Sequence, residues 1–145
     1  MPARVTITSF ALLLVVLLAW LRDPPWVCGV TSGLGPVVAD VDGRPVRWTR
    51  GHAVFYIPSS AATLAIPLRA RRPRRGFLPV TVRVSIDDVL VDEIVIADEQ
   101  WQVSNVAVAR MAGTWRRNRR VDLRLSRTLG PQRAGVLLGQ VTTAP

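Results

Sequence analysis

The chain of 145 residues contains one cysteine, one histidine, one tyrosine and no lysine, all 19 of its basic residues being arginine. A single cysteine excludes an intrachain disulfide, so Cys28 is an intermolecular bridge, a lipid-modified residue or a free thiol. Pro25, Trp26 and Val27 ahead of it are not the small residues of a lipoprotein cleavage site, and a free thiol beside a membrane is the better reading. One histidine and one cysteine cannot supply a zinc ligand set, and Asp and Gly do not recur at EF-hand spacing. A calcium site would have to draw on Asp40 and Asp42 or on the turn at Asp87. Gly33-Leu34-Gly35 begins like a dinucleotide loop, but Pro36 follows and the flanking strand and helix are missing. No cofactor and no metal site are expected.

Catalytic groups are equally scarce. A hydrolase needs a nucleophile with a base, or two carboxylates facing each other across a substrate. His52 follows Gly51 at the start of a strand pattern with no sequence neighbour that completes a dyad, so a structural placement is expected for it. The acidic pairs Asp87-Asp88, Asp92-Glu93 and Asp98-Glu99 are sequence neighbours, which on a strand point to opposite faces. They read as turn and surface residues, and the chain is expected not to be an enzyme.

What is present is apolar residue and positive charge. Hydrophobic residues make up 49% of the chain, charged residues only 20%, and the mean hydropathy is +0.26, which excludes a disordered or collagen-like chain. The length allows one domain beyond the first thirty or so residues. Residues 5–21 carry no charge, and 10–21 read FALLLVVLLAWL with no polar face. Seventeen helical residues span about 26 Å, slightly short of the roughly 30 Å hydrocarbon core, so a spanning helix needs snorkelling flanks. Trp20 falls at an interfacial position, and Arg22, Asp23, Pro24 and Pro25 stop the helix. A cleaved secretory signal competes with this anchor, but Val27 and Gly29 around Cys28 form the only passable cleavage site. Arg4 and the amino terminus ahead of the helix, against Arg22 offset by Asp23, keep the amino end cytoplasmic. The expectation is a single-pass signal anchor over 1–23 in the cell membrane, touching lipid through its helix, with the rest of the chain extracytoplasmic.

Residues 24–44, rich in glycine and proline without a hydrophobic period, read as a linker, and 45–145 as a β domain. Val80, Val82, Val84 and Ile86 alternate with Thr81, Arg83 and Ser85, the pattern of a strand with one buried face. Asp87-Asp88 turns this strand into 89–96, where Asp92-Glu93 breaks the alternation as a bulge does. Further strands are expected over 46–50, 52–57, 63–68, 101–109, 121–127 and 136–142, about eight in all. Even spacing of short strands points to a mostly β fold, an antiparallel, jelly-roll-like β-sandwich preceded by one transmembrane helix.

Two arginine-rich loops stand out. Arg69, Arg71, Arg72, Arg74 and Arg75 surround Pro73, and Arg116, Arg117, Arg119 and Arg120 follow Trp115. If they converge they attract phosphates or acidic sugars, which guanidinium forks bind bidentately; otherwise each is a solvated loop. Trp48, Phe55, Tyr56, Trp101 and Trp115 are the aromatics able to stack on sugar rings; strand pattern puts Trp48 and Trp101 in the core and leaves Trp115 as the exposed candidate. The candidate ligand-binding set is therefore Trp115, Arg116, Arg117, Arg119, Arg120, Arg71, Arg72, Arg74 and Arg75. Nucleic acid is not an expected partner, since an anchored domain outside the cytoplasm does not meet it.

The segment order Trp48-Thr49-Arg50, AVFYIP at 53–58, LAIPLR at 64–69, the Val80 hairpin, Trp101-Gln102-Val103, VDLRLSRT at 121–128 and GVLLGQV at 135–141 resembles a known module. It is the jelly-roll-like β-sandwich of bacterial cell-envelope membrane proteins, of the glycosyltransferase-associated type. The resemblance covers roughly 46–142 and carries no catalytic residues. One anchor in place of a polytopic enzyme departs from the pattern and implies a free-standing subunit that partners a polytopic membrane protein. Two functions follow as expectations: a non-enzymatic accessory or polysaccharide-contacting module in envelope polysaccharide assembly, or a structural subunit of a larger membrane complex whose basic loops touch anionic lipid.

Overall fold

A computed structural model of the chain describes residues 2–22, 24–71, 77–109, 116–128 and 136–145. A helix, α1 (Pro2–Arg22), is stopped ahead of a short 3-10 helix (Pro25–Gly29) whose first residue is the proline that suits a helix start. Nine strands follow: β1 (Ser32–Ala39), β2 (Pro45–Pro58), β3 (Thr63–Ala70), β4 (Val80–Ile86), β5 (Val89–Ile96), β6 (Gln102–Ala107), β7 (Asn118–Leu125), β8 (Val136–Leu138) and β9 (Thr142–Ala144). All pairings are antiparallel, in the order β5-β4-β7-β2-β8-β3-β6, with β1 on β2 and β9 on β3.

Long β2 makes this one sheet curl into two leaves. Residues 47–49 pair with β8, and residues 52–58 pair with β7, so the strand passes from one leaf to the other around Gly51. Gly51 lies so close to the Thr128 methyl that a Cβ there would stand 2.9 Å from it. The inward residues alternate as the pleat requires: Ala53, Phe55 and Ile57 on β2, Leu64, Ile66 and Leu68 on β3, Val80, Val82, Val84 and Ile86 on β4, Val121 and Leu123 on β7. Each such Leu, Ile, Val or Phe contributes about 1.5–3 kcal/mol through burial. At the open edge β5 and β6 approach, and Ser104 Oγ donates to Asp92 Oδ2 at 2.8 Å. The register slips between Val84 and Ser85, leaving Val91 as the extra residue beside Asp92. That bulge gives Asp92 its aim at β6. Asp87 and Asp88 both take positive φ (49° and 69°), the mirror-image hairpin turn that fits two twisted strands.

Three expectations about the strands change. The stretch read as a linker holds β1, because Leu34, Val37 and Val38 supply strand residues and Gly33 (φ 67°) lets the chain cross where a Cβ would fall 1.8 Å from the His52 carbonyl oxygen. The strands expected at 46–50 and 52–57 are one, and the last expected strand is two short ones, β8 and β9. Among the described residues, no helix is long and apolar enough to cross a membrane. Residues 9–18 and 20 of α1 are exposed, Phe10, Leu12, Leu13, Val15 and Val16 among them.

Candidate functional site

The β2–β7 ladder decides where the second arginine cluster goes. Arg119 pairs with Ile57 and Arg120 with Tyr56, so alternation turns Arg119 inward and Arg120 outward. Arg119 is buried; its Nε donates to Asp87 Oδ2 at 2.8 Å and its Nη1 to the Ala109 carbonyl at 2.6 Å. The Arg120 amide donates to Asp87 Oδ1 at 3.0 Å, and the Asp87 amide donates back to the Arg120 carbonyl at 2.9 Å. Arg120 Nε donates to Asp122 Oδ2 at 2.8 Å while its Nη2 pairs with Asp88. These two arginines hold the β4–β5 turn.

Asp122 is the centre of this network. It is 4% exposed, and its second oxygen accepts from His52 Nε2 at 2.7 Å. Burial alone would raise its carboxyl, but the hydrogen bonds from His52 and Arg120 and the Arg120 charge outweigh burial and hold it below the ordinary carboxylate range. His52 thus has the carboxylate partner that local sequence withheld, because 70 residues separate the two and only the strand register joins them. Among the described residues, His52 bonds Asp122 and no hydroxyl or thiol.

Outside the leaf, Val27 of the 3-10 helix, Tyr56, Asp88, Arg116, Asn118 and Arg120 line a polar cleft of about 420 Å³. Arg116 and Arg117 are exposed, and the Arg117 carbonyl accepts from the Ser59 amide at 2.8 Å in the turn leading into β3. Arg71, also exposed, follows the far end of β3, which at roughly 3.3 Å per residue is about 23 Å long. The two loops are therefore anchored at opposite ends of one strand. Trp115, Arg72, Arg74 and Arg75 lie outside the described residues.

The tryptophans expected in the core are not there. Trp48 and Trp101 are half-buried; Val106 on β6 and Val108 just beyond it turn inward, which leaves Val103 and the preceding Trp101 on the outer side. Trp101 lines a cleft of about 250 Å³ with Arg44, Pro67, Val103, Gly139 and Gln140. Gly139 sits tight against it: an added Cβ would come within 3.0 Å of Pro67 Cβ and 3.4 Å of Trp101 Cζ3. The Arg69 guanidinium stands 5.9 Å from the indole centroid, donates to the Glu99 carbonyl at 2.7 Å and reaches Asp40 Oδ2 at 2.9 Å. The Val41 amide first, then the Arg69 charge and hydrogen bond, hold the Asp40 carboxyl below its usual value against the effect of burial. Trp101 Nε1 is buried without a hydrogen bond; the indole lies near enough to favour the Asp40 charge but outside hydrogen-bonding geometry. The ring is held on several sides by protein and leaves its remaining surface to the cleft. A second, apolar cleft of about 400 Å³, with Leu34, Val37, Phe55 and Val141, shares Pro45, Gly139 and Gln140 with the first. The two clefts share a wall at the β8 exit, and no local pattern of the sequence marks either.

No family model matches the chain, and no curated protein matches its sequence. Solved structures do match its fold. A family 6 carbohydrate-binding module whose binding sub-sites were dissected by crystallography and calorimetry superimposes with a TM-score of 0.51 at 8% identity, covering 79% of this chain and 86% of that one. A module from Clostridium stercorarium in complex with cellobiose gives 0.48 at 7% identity, over 79% and 86%. A family 35 carbohydrate-binding module from an environmental isolate gives 0.47 at 15% identity, over 84% and 95%. At such identities the likeness concerns architecture, and it rests on the first of the three: the strands of this chain are arranged as the β-sandwich of a family 6 carbohydrate-binding module.

Proposed function

We propose that the chain is a non-enzymatic, carbohydrate-contacting β-sandwich, held by α1 at the outer side of the cell membrane and serving as an accessory module in envelope polysaccharide assembly. The observation that carries the carbohydrate reading is the Trp101 cleft. A pyranose offers apolar C–H faces to an aromatic plane and hydroxyls to polar groups at the rim. Trp101, Pro67 and Val103 supply the apolar floor, and Arg44 and Gln140 the rim. The likeness to carbohydrate-binding modules supports the same reading. The uncharged stretch 5–21 and the arginine cluster that follows it in the fold support the tether. Electrophoresis of the full-length chain through gels containing neutral polysaccharides tests the proposal. Retardation that disappears in Trp101→Ala is the expected result, and equal mobility with and without polysaccharide contradicts it.

A second reading, a structural subunit whose basic loops lie on anionic lipid, is favoured by one observation. Val27, five residues beyond the end of α1, lines the same cleft as Arg116 and Arg120. A membrane-seated α1 therefore delivers those arginines to the headgroup region. Binding to phosphatidylglycerol vesicles that falls in Arg116→Gln supports this reading over the first.

A further inference from the structure

The outer face of the β5-β4-β7-β2 leaf carries a line of charged and titratable side chains in which Arg124 alone, among the described residues, has no side-chain partner. Antiparallel register sets Glu93 beside Arg83, Arg83 beside Arg124, and Arg124 beside His52, one residue per strand. All four are exposed. Adjacent strands lie about 4.8 Å apart, so the three basic groups span roughly 10 Å in a straight row. Glu93 reaches Arg83 at 3.4 Å from the outer end. Asp122, the neighbouring acidic residue on the same face of β7, already has one oxygen on His52 and the other on Arg120. Arg124 stands between Arg83 and His52, and its side chain, among the described residues, makes no hydrogen bond or ion pair.

Like charges placed directly opposite each other on neighbouring strands destabilise a sheet. Arg124 is such a residue opposite Arg83, and among the described residues no acidic side chain pairs with it. An anion laid along the row would relieve the repulsion and take the donors that the protein leaves open. Guanidinium groups bind carboxylate, sulfate and phosphate ester oxygens as two-pronged donors, and His52, with its Nε2–H given to Asp122, adds a second donor at Nδ1 when its ring is protonated. Repeated cationic groups across successive strands suit repeated anions on an extended polymer better than one compact ion.

We propose that the Arg83–Arg124–His52 row binds an acidic polysaccharide, its charged substituents lying across β4, β7 and β2. The inference rests on the carbohydrate reading and adds the ligand class to it, at a face separate from the Trp101 cleft. Its test is the full-length chain in mild detergent titrated with dextran sulfate and with polygalacturonate, with uncharged dextran of the same length as control. The expected result is binding to at least one of the two polyanions that weakens about tenfold in Arg124→Gln, the loss of a charge-assisted contact. Arg124→Gln is expected to melt at or above the wild-type temperature, because it removes a repulsion. Which polyanion binds separates carboxylate from sulfate recognition. Equal polyanion affinity in wild type and Arg124→Gln, or no polyanion binding at all, overturns the proposal. Loss of neutral glycan binding in Trp101→Ala, with polyanion binding absent or indifferent to Arg124, would leave the carbohydrate reading standing and remove only the row. Binding to phosphatidylglycerol vesicles that depends on Arg124, without binding to either polymer, would assign the row to lipid and likewise overturn it.

Discussion

His52 Nε2 stands 2.7 Å from Asp122 Oδ1, and the same carboxylate takes Arg120 Nε at 2.8 Å on its other oxygen. One buried acid therefore ties β2 to the arginine that also grips the β4–β5 turn. The charged groups at this end of the sandwich form a single structural unit.

Asp122 makes acid stability specific. Its carboxyl is held below the ordinary range in the folded chain, so its contribution is complete above the unfolded value of about 3.9 and is lost as pH falls through the folded value. Asp122→Asn is expected to cost about 2 kcal/mol at pH 7. The gap between wild type and variant in urea unfolding should narrow as pH drops below about 4. A gap independent of pH contradicts the assignment.

Arg119 is a buried cation that joins Asp87 to the Ala109 carbonyl. Arg119→Ala is expected to destabilise by about 2 kcal/mol, through the loss of these charge-assisted hydrogen bonds. Denaturant midpoints at constant slope measure this.

Gly33 has no room for a methyl group. With φ at 67° and the His52 carbonyl oxygen 1.8 Å from an added Cβ, Gly33→Ala is expected to loosen β1 and cost roughly 2 kcal/mol. Amide exchange along β1 should rise while exchange along β4 and β7 stays slow.

Cys28 tests the proposed tether, because it is exposed and the only cysteine. A membrane-impermeant maleimide added to intact cells is expected to label it. Labelling only after lysis places the domain on the inner side.

The strand pattern was legible where alternation was clean. Val80 to Ile86 and the Asp87-Asp88 turn stand as read, and the Asp92-Glu93 break does coincide with a bulge. β1 was hidden because Gly33, Gly35 and Pro36 have linker composition, and its strand form depends on pairing with β2. On β6, alternation separates two faces without saying which is inside, and the valines at 106 and 108 outcompeted the side that holds Trp101 and Val103. The His52–Asp122 pair and the Arg83–Arg124–His52 row come from register between strands far apart in sequence, which no local spacing encodes. The Trp101 cleft likewise needs Gly139 from the far end of the chain.

The central claim is that the Trp101 groove takes a sugar chain, and isothermal titration of the full-length protein with neutral oligosaccharides of several linkages measures it most directly. A saturable isotherm with at least one of them, weakened about tenfold or more in Trp101→Ala at unchanged melting temperature, is the predicted result. An isotherm identical in wild type and Trp101→Ala, or no heat with any oligosaccharide, contradicts it.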